Sequence, residues 1–417
     1  MGLALLVSPL FALASAPDET IEWNPAWFPL AEGDIWVYRQ TMLRDGQETQ
    51  KLRLKTARVE RGRVFRLVDV DGDDYLFSSD AQGLLLHGEV KSEAEAVAFD
   101  PPLAYVTPDL LRLRMARSTH QAEGRSLQAS AQIAGVQPVD ATAVGKAQPA
   151  LVTRFEYQTS GNRTFSIENH FVRGVGAVRR TFKLATDAGR VLFESRHELL
   201  AARVGGAVCP PGGENAFAAL LFRHAFEHRE VFGPSFPGFS CRVRVFEGDS
   251  VQAEAALEVG ADGRIAALQG KNLPRGAEEV IRSIVRHRRG ASFEERNRSV
   301  VFRLSPAPSG RVGVAVEGDS MGSRYEVSDG VIRQVTRLDE GQRRFRIDVH
   351  DVQWTPRGHY LATRFDVTLL ENDGTVSEKQ GVVDVYEPLG EDWIPRRRTI
   401  RKGEIVQTFE FTDVRRK

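Results

Sequence analysis

Three short runs in this sequence have residue types and spacings that could do chemistry. Gly318-Asp-Ser320-Met-Gly322 matches G-x-S-x-G, the pattern of a serine nucleophile on a strained turn between a strand and a helix. His224 and His228, one helical turn apart in HAFEH, could present two imidazoles to a ligand head group or a metal. Asp69, Asp71, Asp73 and Asp74 gather carboxylates of the kind that hold calcium.

Each run depends on the element that must position it. A nucleophile elbow needs a helix after Gly322, because that helix's N-terminus supports the oxyanion hole. Gly322 leads instead into Ser-Arg-Tyr-Glu-Val and an Asp-Gly turn, which is strand patterning, so the run reads as a glycine-rich hairpin. The aspartates lack the glycine after the third ligand and the glutamate six residues beyond it that a calcium loop requires, and read as a carboxylate-rich turn between strands. Two histidines make half a metal site, and HAFEH has no Glu directly after its first His. The sequence therefore offers no catalytic residue, metal or cofactor, and hydrolysis through Ser320 stands only as an alternative.

The histidines belong to a helix predicted over Glu214–Phe232. At ~100° per residue, Phe217, Leu220, Leu221, Ala225, Val231 and Phe232 share one broad arc, with His224 and His228 projecting from its middle and Arg223 and Glu230 on the far side. Phe217, Leu221, His224 and His228 are accordingly the candidate ligand-binding residues; the alternative is a helix face packed into a core. Arg344, Arg346, Asp348 and His350 alternate with Phe345, Ile347 and Val349, which reads as a strand with a solvated outer face and a buried inner one.

Composition bounds the rest. In 417 residues Lys+Arg and Asp+Glu are both 56, and zero net charge removes the basic footprint of a nucleic-acid binder. Leu3–Ala14 is a short apolar run followed by small residues, which suits a signal peptide over residues 1–14 and is too short to span a bilayer, although no Lys or Arg precedes it. A periplasmic or secreted protein is the expectation. Cys209 and Cys241 could then pair, tying the interdomain linker to a strand, or equally be one linker thiol and one buried strand thiol.

Residues 15–204 alternate in short runs separated by turn residues, as in Asp45-Gly46, Arg61-Gly62 and Gln82-Gly83. Trp36, Tyr38 and Gln40 share one face of their strand, and Leu52 and Leu54 share a face with Arg53 and Lys55 between and after them. A Gly/Pro stretch over 205–213 marks a linker. Residues 214–417 hold two helices, Glu214–Phe232 and Ala277–Arg289, and a long series of strands. The fold expected is mainly β (α+β): two domains of curved antiparallel sheet, the second a half-barrel closed by one or two helices.

WFPLAEGDIWVY and HFVRGVGAVRR resemble the opening and closing phrases of exported bacterial β-rich proteins, which implies architecture and no chemistry. LFRHAFEHR, FPGFSCRVRV, HRRGASFEE, GDSMGSRYEV and VYEPLGEDWIPRRRTI, in that order, resemble the family catalogued as domain of unknown function 3386. No catalytic residue carries over from it. The helix-then-meander layout is similar to that of periplasmic lipoprotein carriers, whose half-barrel holds acyl chains under a helical lid. These resemblances imply an exported, non-catalytic protein that holds a hydrophobic small molecule or lipid. The alternative is an envelope interaction or scaffold protein with packed cores.

Overall fold

A computed structural model of the chain describes residues 21–417 apart from 45–46, 70–73, 91–95, 123–124, 160–162, 187, 339–343 and 372. The run expected to be a signal peptide and the middle of the aspartate cluster lie outside the described residues. Among the described residues there are two antiparallel sheets.

The first sheet begins with β1 (Ile35–Arg44), β2 (Gln47–Arg61), β3 (Val64–Asp69), β4 (Asp74–Asp80), β5 (Gly83–Val90) and β6 (Ala96–Val106). After a short helix α1 (Pro108–Leu113) come β7 (Met115–Ala122), β8 (Arg125–Ala141), β9 (Gly145–Thr159), β10 (Arg163–Val172), β11 (Gly176–Thr186), β12 (Val191–Val204) and β13 (Ala207–Cys209). Neighbours in the chain are neighbours in the sheet, and β1 also pairs with β12 from Ile35↔Arg203 to Leu43↔Glu194. The curved sheet expected from sequence is thus corrected to a closed barrel of β1–β12. Accumulated twist brings the two edges together, and closure satisfies edge groups that would otherwise stand open.

The lumen explains why closure is favourable. Trp36, Tyr38, Ala57, Leu67, Phe77, Tyr105, Phe155, Phe171 and Leu199 pack there as one buried cluster. Trp27 and Phe28, from a short 3₁₀ turn and the residue after it, close one end, where Trp36 Nε1 donates to Val175 O at 2.7 Å and Tyr38 Oη to Ala177 O at 2.9 Å. The stretch expected to be a linker contains a short strand. Gly205 and Gly206, at φ 56° and 83°, turn the chain so that β13 pairs with β12 through Ala202↔Cys209 and Val204↔Ala207.

The second half starts with helix α2 (Glu214–Glu227), then β14 (Phe239–Glu247), β15 (Ser250–Val259) and β16 (Ile265–Gly270). Two helices, α3 (Ala277–His287) and α4 (Phe293–Arg296), precede β17 (Val301–Ser305), β18 (Val312–Glu317), β19 (Arg324–Ser328) and β20 (Val331–Leu338). The last strands are β21 (Arg344–Trp354), β22 (Tyr360–Leu370), β23 (Val376–Leu389), β24 (Asp392–Lys402) and β25 (Ile405–Arg416). Strand order is 16-15-14-25-24-23-22-21-20-19-18-17, so β25 docks between β14 and β24 and the edges are β16 and β17. Gly238, at φ 88°, lets the chain enter β14; a Cβ there would lie 2.5 Å from Val259 O. This sheet stays open, which corrects the expectation of a half-barrel closed by helices.

Both longer helices lie on the same face of the open sheet, at opposite ends. Cross-strand partners carry that face from Val243↔Phe411 and Val245↔Phe409 through Phe409↔Arg398, Ile400↔Val382, Val382↔Phe365 and Phe365↔Val349. It continues through Ile347↔Val335, Val335↔Tyr325, Tyr325↔Val314 and Val314↔Leu304. Ile281, Ile284 and Val285 of α3 pack on Val243, Val245, Leu257, Phe409 and Phe411. Phe222 of α2 packs on Phe302 and Tyr325, with ring centroids 5.2 and 4.4 Å away. The other side of α2 meets the outer wall of the barrel, where Ile35, Val37, Leu54 and Ala201 join Phe217, Ala218 and Leu221 in one cluster with Val312, Val314 and Phe302. The helix is a two-sided wedge between the sheets.

Neither cysteine is bonded: both are free thiols, Cys209 donating to Ala143 O at 3.0 Å and Cys241 buried under α3, where burial pushes its pKa up to about 12. Phe217 is 0% exposed at the wedge's centre. Phe217→Ala should therefore cost about 3–5 kcal/mol, the range for a buried Phe. In urea unfolding, separate transitions for the two halves are expected in place of one shared transition; an unchanged midpoint would remove α2 from the coupling.

Candidate functional site

The four candidate ligand-binding residues divide between two surroundings. Phe217 and Leu221 lie in the wedge cluster, 0% and 1% exposed, between the barrel wall and β18–β20. His224 and His228 stack on each other at the other end of α2, with ring centroids 3.9 Å apart and planes 20° apart. His228 Nδ1 lies 2.7 Å from His224 O, and the His359 ring meets His228 edge-on at 6.1 Å.

Helix α2 ends at Glu227, short of the expected Phe232, because the next backbone groups are used elsewhere. Tyr360 N donates to His228 O at 2.7 Å, Glu230 N to Tyr360 O at 2.8 Å and Phe232 N to Arg288 O at 2.7 Å. Residues 228–232 thus form a strap from the end of α2, past the start of β22, to the end of α3. Tyr360 Oη locks it further by donating to Ala225 O at 3.0 Å while accepting from Ile332 N at 3.2 Å.

The strap buries Glu230, which the sequence placed on the helix's polar side. Its carboxylate accepts from Arg357 and from Thr355 Oγ1 (3.3 Å), with His359 Nδ1 at 3.3 Å and Arg288 Nη2 at 3.8 Å. Burial raises a carboxyl's pKa, but here the His359 hydrogen bond and the charges of Arg288 and Arg357 outweigh it and hold Glu230 below the usual range. Arg288 sits between the Phe232 and Tyr386 rings, 5.5 Å from each centroid, and donates to Glu230 O and to Trp393 O. The one signal in the sequence was TPRGHY, a turn that puts Arg357 and His359 next to each other. Among the described residues no group of three or more His, Cys, Asp or Glu side chains could hold a metal ion.

Ser320 is exposed in the turn between β18 and β19, with a strand and no helix after it. Asp319 accepts from Met321 N at 2.9 Å, as a turn carboxylate does. Arg346 and Asp348 pair with each other at 2.8 Å, and His350 lies 3.1 Å from Asp366 on the same outer face. The face opposite is different from a packed core. Phe345, Ile347 and Val349 of β21 and Phe365, Val367 and Leu369 of β22 are only half-buried. Among the described residues none of them joins the cluster under α2 or the cluster under α3. They form an apolar stretch of the inner face between the two helices, with Arg337 over Phe345 at 5.2 Å and Arg398 over Phe365 at 5.6 Å. Arg398 is held by Asp384 through two bonds of 2.7 and 2.6 Å.

Two open depressions elsewhere, one at Arg117, Gln128 and Glu156 and one at Arg242, Glu254 and Asp413, are lined mainly by polar residues and lie away from this stretch. This stretch presents apolar surface beside two guanidinium groups. Glu230→Gln should lower stability by about 3 kcal/mol or more near neutral pH, because Arg288 is left buried without its counter-charge. With its pKa depressed in the fold, Glu230 contributes stability that is complete above its ordinary value of 4.5 and is lost as pH falls through the depressed value. Unfolding measured from pH 7 to pH 3 should show that acid-side loss in the native chain and a shallower one in Glu230→Gln.

No curated protein sequence matches the chain. Among solved structures, one described as an exported protein with a YmcC-like fold from Bacteroides fragilis is similar at 12% identity, covering 42% of this chain and 97% of its own, with a TM-score of 0.22. A domain described as an outer membrane lipoprotein-sorting protein from Vibrio parahaemolyticus is similar at 8% identity, covering 73% and 84%, with a TM-score of 0.15. The MucA/MucB complex structure of Pseudomonas aeruginosa is similar at 11% identity, covering 92% and 93%, with a TM-score of 0.19. At these scores the likenesses carry no functional weight. The family model is more definite: residues 214–416, the half that holds the wedge helix, the strap and this apolar stretch, match the family described as Protein of unknown function (DUF3386).

Proposed function

We propose that this is an exported, non-catalytic binding protein that holds an apolar or amphiphilic, lipid-like ligand in the groove between α2 and α3. The observation that carries the reading is the half-buried floor of Phe345, Ile347, Val349, Phe365, Val367 and Leu369 on the inner face of the open sheet. Six apolar side chains side by side, flanked by helices and outside the packed clusters, make a surface that gains free energy from a hydrophobic occupant at roughly 25 cal/mol per Å² covered. Arg337 and Arg398 at the floor favour an anionic or polarisable head group. His224 and His228 would form the strap end of the groove, while Phe217 and Leu221 would hold α2 in place from behind. Export is supported by the apolar run Leu3–Ala14, and no helix of the described residues is long and apolar enough to cross a membrane.

Val367 lies at the centre of the floor, paired with Ile347 and Gln380. Val367→Asp should weaken binding of the neutral probe N-phenylnaphthylamine about tenfold or more, since a carboxylate there must be desolvated by the probe. Fluorescence titration of the full chain measures it. Failure of the unsubstituted protein to bind the probe, or equal binding by a folded Val367→Asp chain, would leave the packed scaffold as the better account.

A further inference from the structure

The two guanidinium groups beside the apolar stretch belong to a larger set that gathers from four elements. Arg337 of β20 lies over Phe345 and Arg398 of β24 over Phe365, both on the inner face. Arg229 enters from the strap, its guanidinium 4.0 Å from the Phe226 centroid and its Nε donating to Phe226 O at 3.1 Å. His287 ends α3, next in the chain to Arg288. Solvent reaches the His287 ring, while desolvation by the protein around it, and then the charges of Arg398, Arg286, Arg337 and Arg229, push its pKa down to about 4. Guanidinium groups from the strap, α3, β20 and β24 thus act on one imidazole.

Two of these four cations are neutralised within the fold. Asp384 holds Arg398, and Glu279 lies 3.0 Å from Arg286. Arg229 and Arg337 differ: among the described residues neither has a carboxylate in ion-pair range, and Arg337 Nε is buried without an acceptor. Asp319 is near enough to feel the Arg337 charge, but it stands outside pairing range and accepts from Met321 N at 2.9 Å. Burial pulls the Arg229 pKa below its usual value and the Arg296 charge adds to this, with no carboxylate acting against them. A guanidinium stays charged even so. Two partly desolvated cations without counter-charge are costly, and stacking on Phe226 and Phe345 offsets only part of that cost.

Phe345, Ile347, Phe365 and Val367 lie beside these cations, so a chain resting on them brings its end group to the guanidinium set. A neutral end group would cover Arg229 and Arg337 and leave their charge unmatched. A cationic one would add repulsion. An oxyanion supplies both the acceptors and the charge, and the guanidinium fork fits it.

We propose that the ligand of the inner face is an anionic amphiphile: its oxyanion head group is held among the guanidinium groups around His287, where Arg229 and Arg337 supply the unmatched charge, and its apolar body covers Phe345, Ile347, Phe365 and Val367. This rests on the reading of the inner face as an apolar binding surface and narrows it to one class of head group.

Displacement of N-phenylnaphthylamine from the full chain tests it with decanoate, decanol and decyltrimethylammonium, which share a chain and differ in head-group charge. Decanoate should displace the probe at a concentration about tenfold or more below that of decanol, the effect of one charge-assisted hydrogen bond or more. Decyltrimethylammonium should be the weakest of the three, and acetate, the head group without the chain, should not displace the probe. Taking the decanoate-to-decanol ratio inside each variant cancels damage to the apolar surface. Arg229→Met with Arg337→Met should bring that ratio to about one, and Arg229→Lys with Arg337→Lys should keep a preference for decanoate. If the unsubstituted chain binds no probe, the binding reading falls with this proposal. If it binds the probe and decanol displaces as well as decanoate, that reading stands and the anionic head group is overturned. Acetate as effective as decanoate would overturn the amphiphile, and a folded double-Met chain with an undiminished ratio would overturn the assignment to Arg229 and Arg337.

Discussion

The structure turns on the packing of helix α2 between two sheets. Phe217, Ala218 and Leu221 meet the barrel wall, and Phe222 and Phe226 meet the open sheet and the Phe293 ring, at 6.2 and 5.9 Å. A helix apolar on one side rests on a surface, and one apolar nearly all round must be enclosed. Enclosure orients the barrel against the open sheet and fixes where the helix ends. From that end the strap runs across to α3 and sets one limit of the groove. The ion pair of Arg58 with Asp329 adds a polar tie at the edge of the same seam.

This two-sidedness was visible in the residues, though an arc drawn for one buried face leaves it out. Phe222 and Phe226 fall off the arc of Phe217, Leu221 and Ala225, yet both are buried. The same helix inverts the reading of β2. In Leu52-Arg-Leu54-Lys55 an isolated strand would turn its leucines to the core and its cations to water. Here Leu54 faces outward because α2 covers the barrel wall, and Arg53 and Lys55 face the lumen. Alternation told which residues share a face, and only the tertiary partner told which face is wet.

Strands, turns and both longer helices were legible because period-2 alternation and Gly/Asp turns are local signals. Barrel closure was not, since the β1–β12 pairing joins Ile35 to Arg203 across the whole domain and no short window carries it. Among candidate site residues, the His224–His228 stack follows from i, i+4 spacing. Glu230 was misread for the converse reason: helix periodicity was extended through residues whose backbone hydrogen bonds go to Tyr360 and Arg288. Once the helix stops at Glu227, a residue expected in solvent becomes the centre of a buried carboxylate–guanidinium cluster.

The groove itself follows from strand number. Strands lie ~4.8 Å apart, so twelve of them make a face roughly 50 Å across, while a helix with its side chains is about 10 Å wide. Two helices can cover less than half of such a face, and these two sit at its ends, α3 over β14, β15 and β25 and α2 over β17–β20. What remains is β21–β24, apolar on β21 and β22 and carrying Glu378, Gln380, Asp384 and Arg398 on the inner face of β23 and β24. A purely structural sheet would place polar residues there, as it does on the opposite face with Arg346, Asp348 and Asp366. Phe345, Ile347, Phe365 and Val367 instead keep the inner face apolar where neither helix reaches it, which is the feature the proposed binding reading rests on.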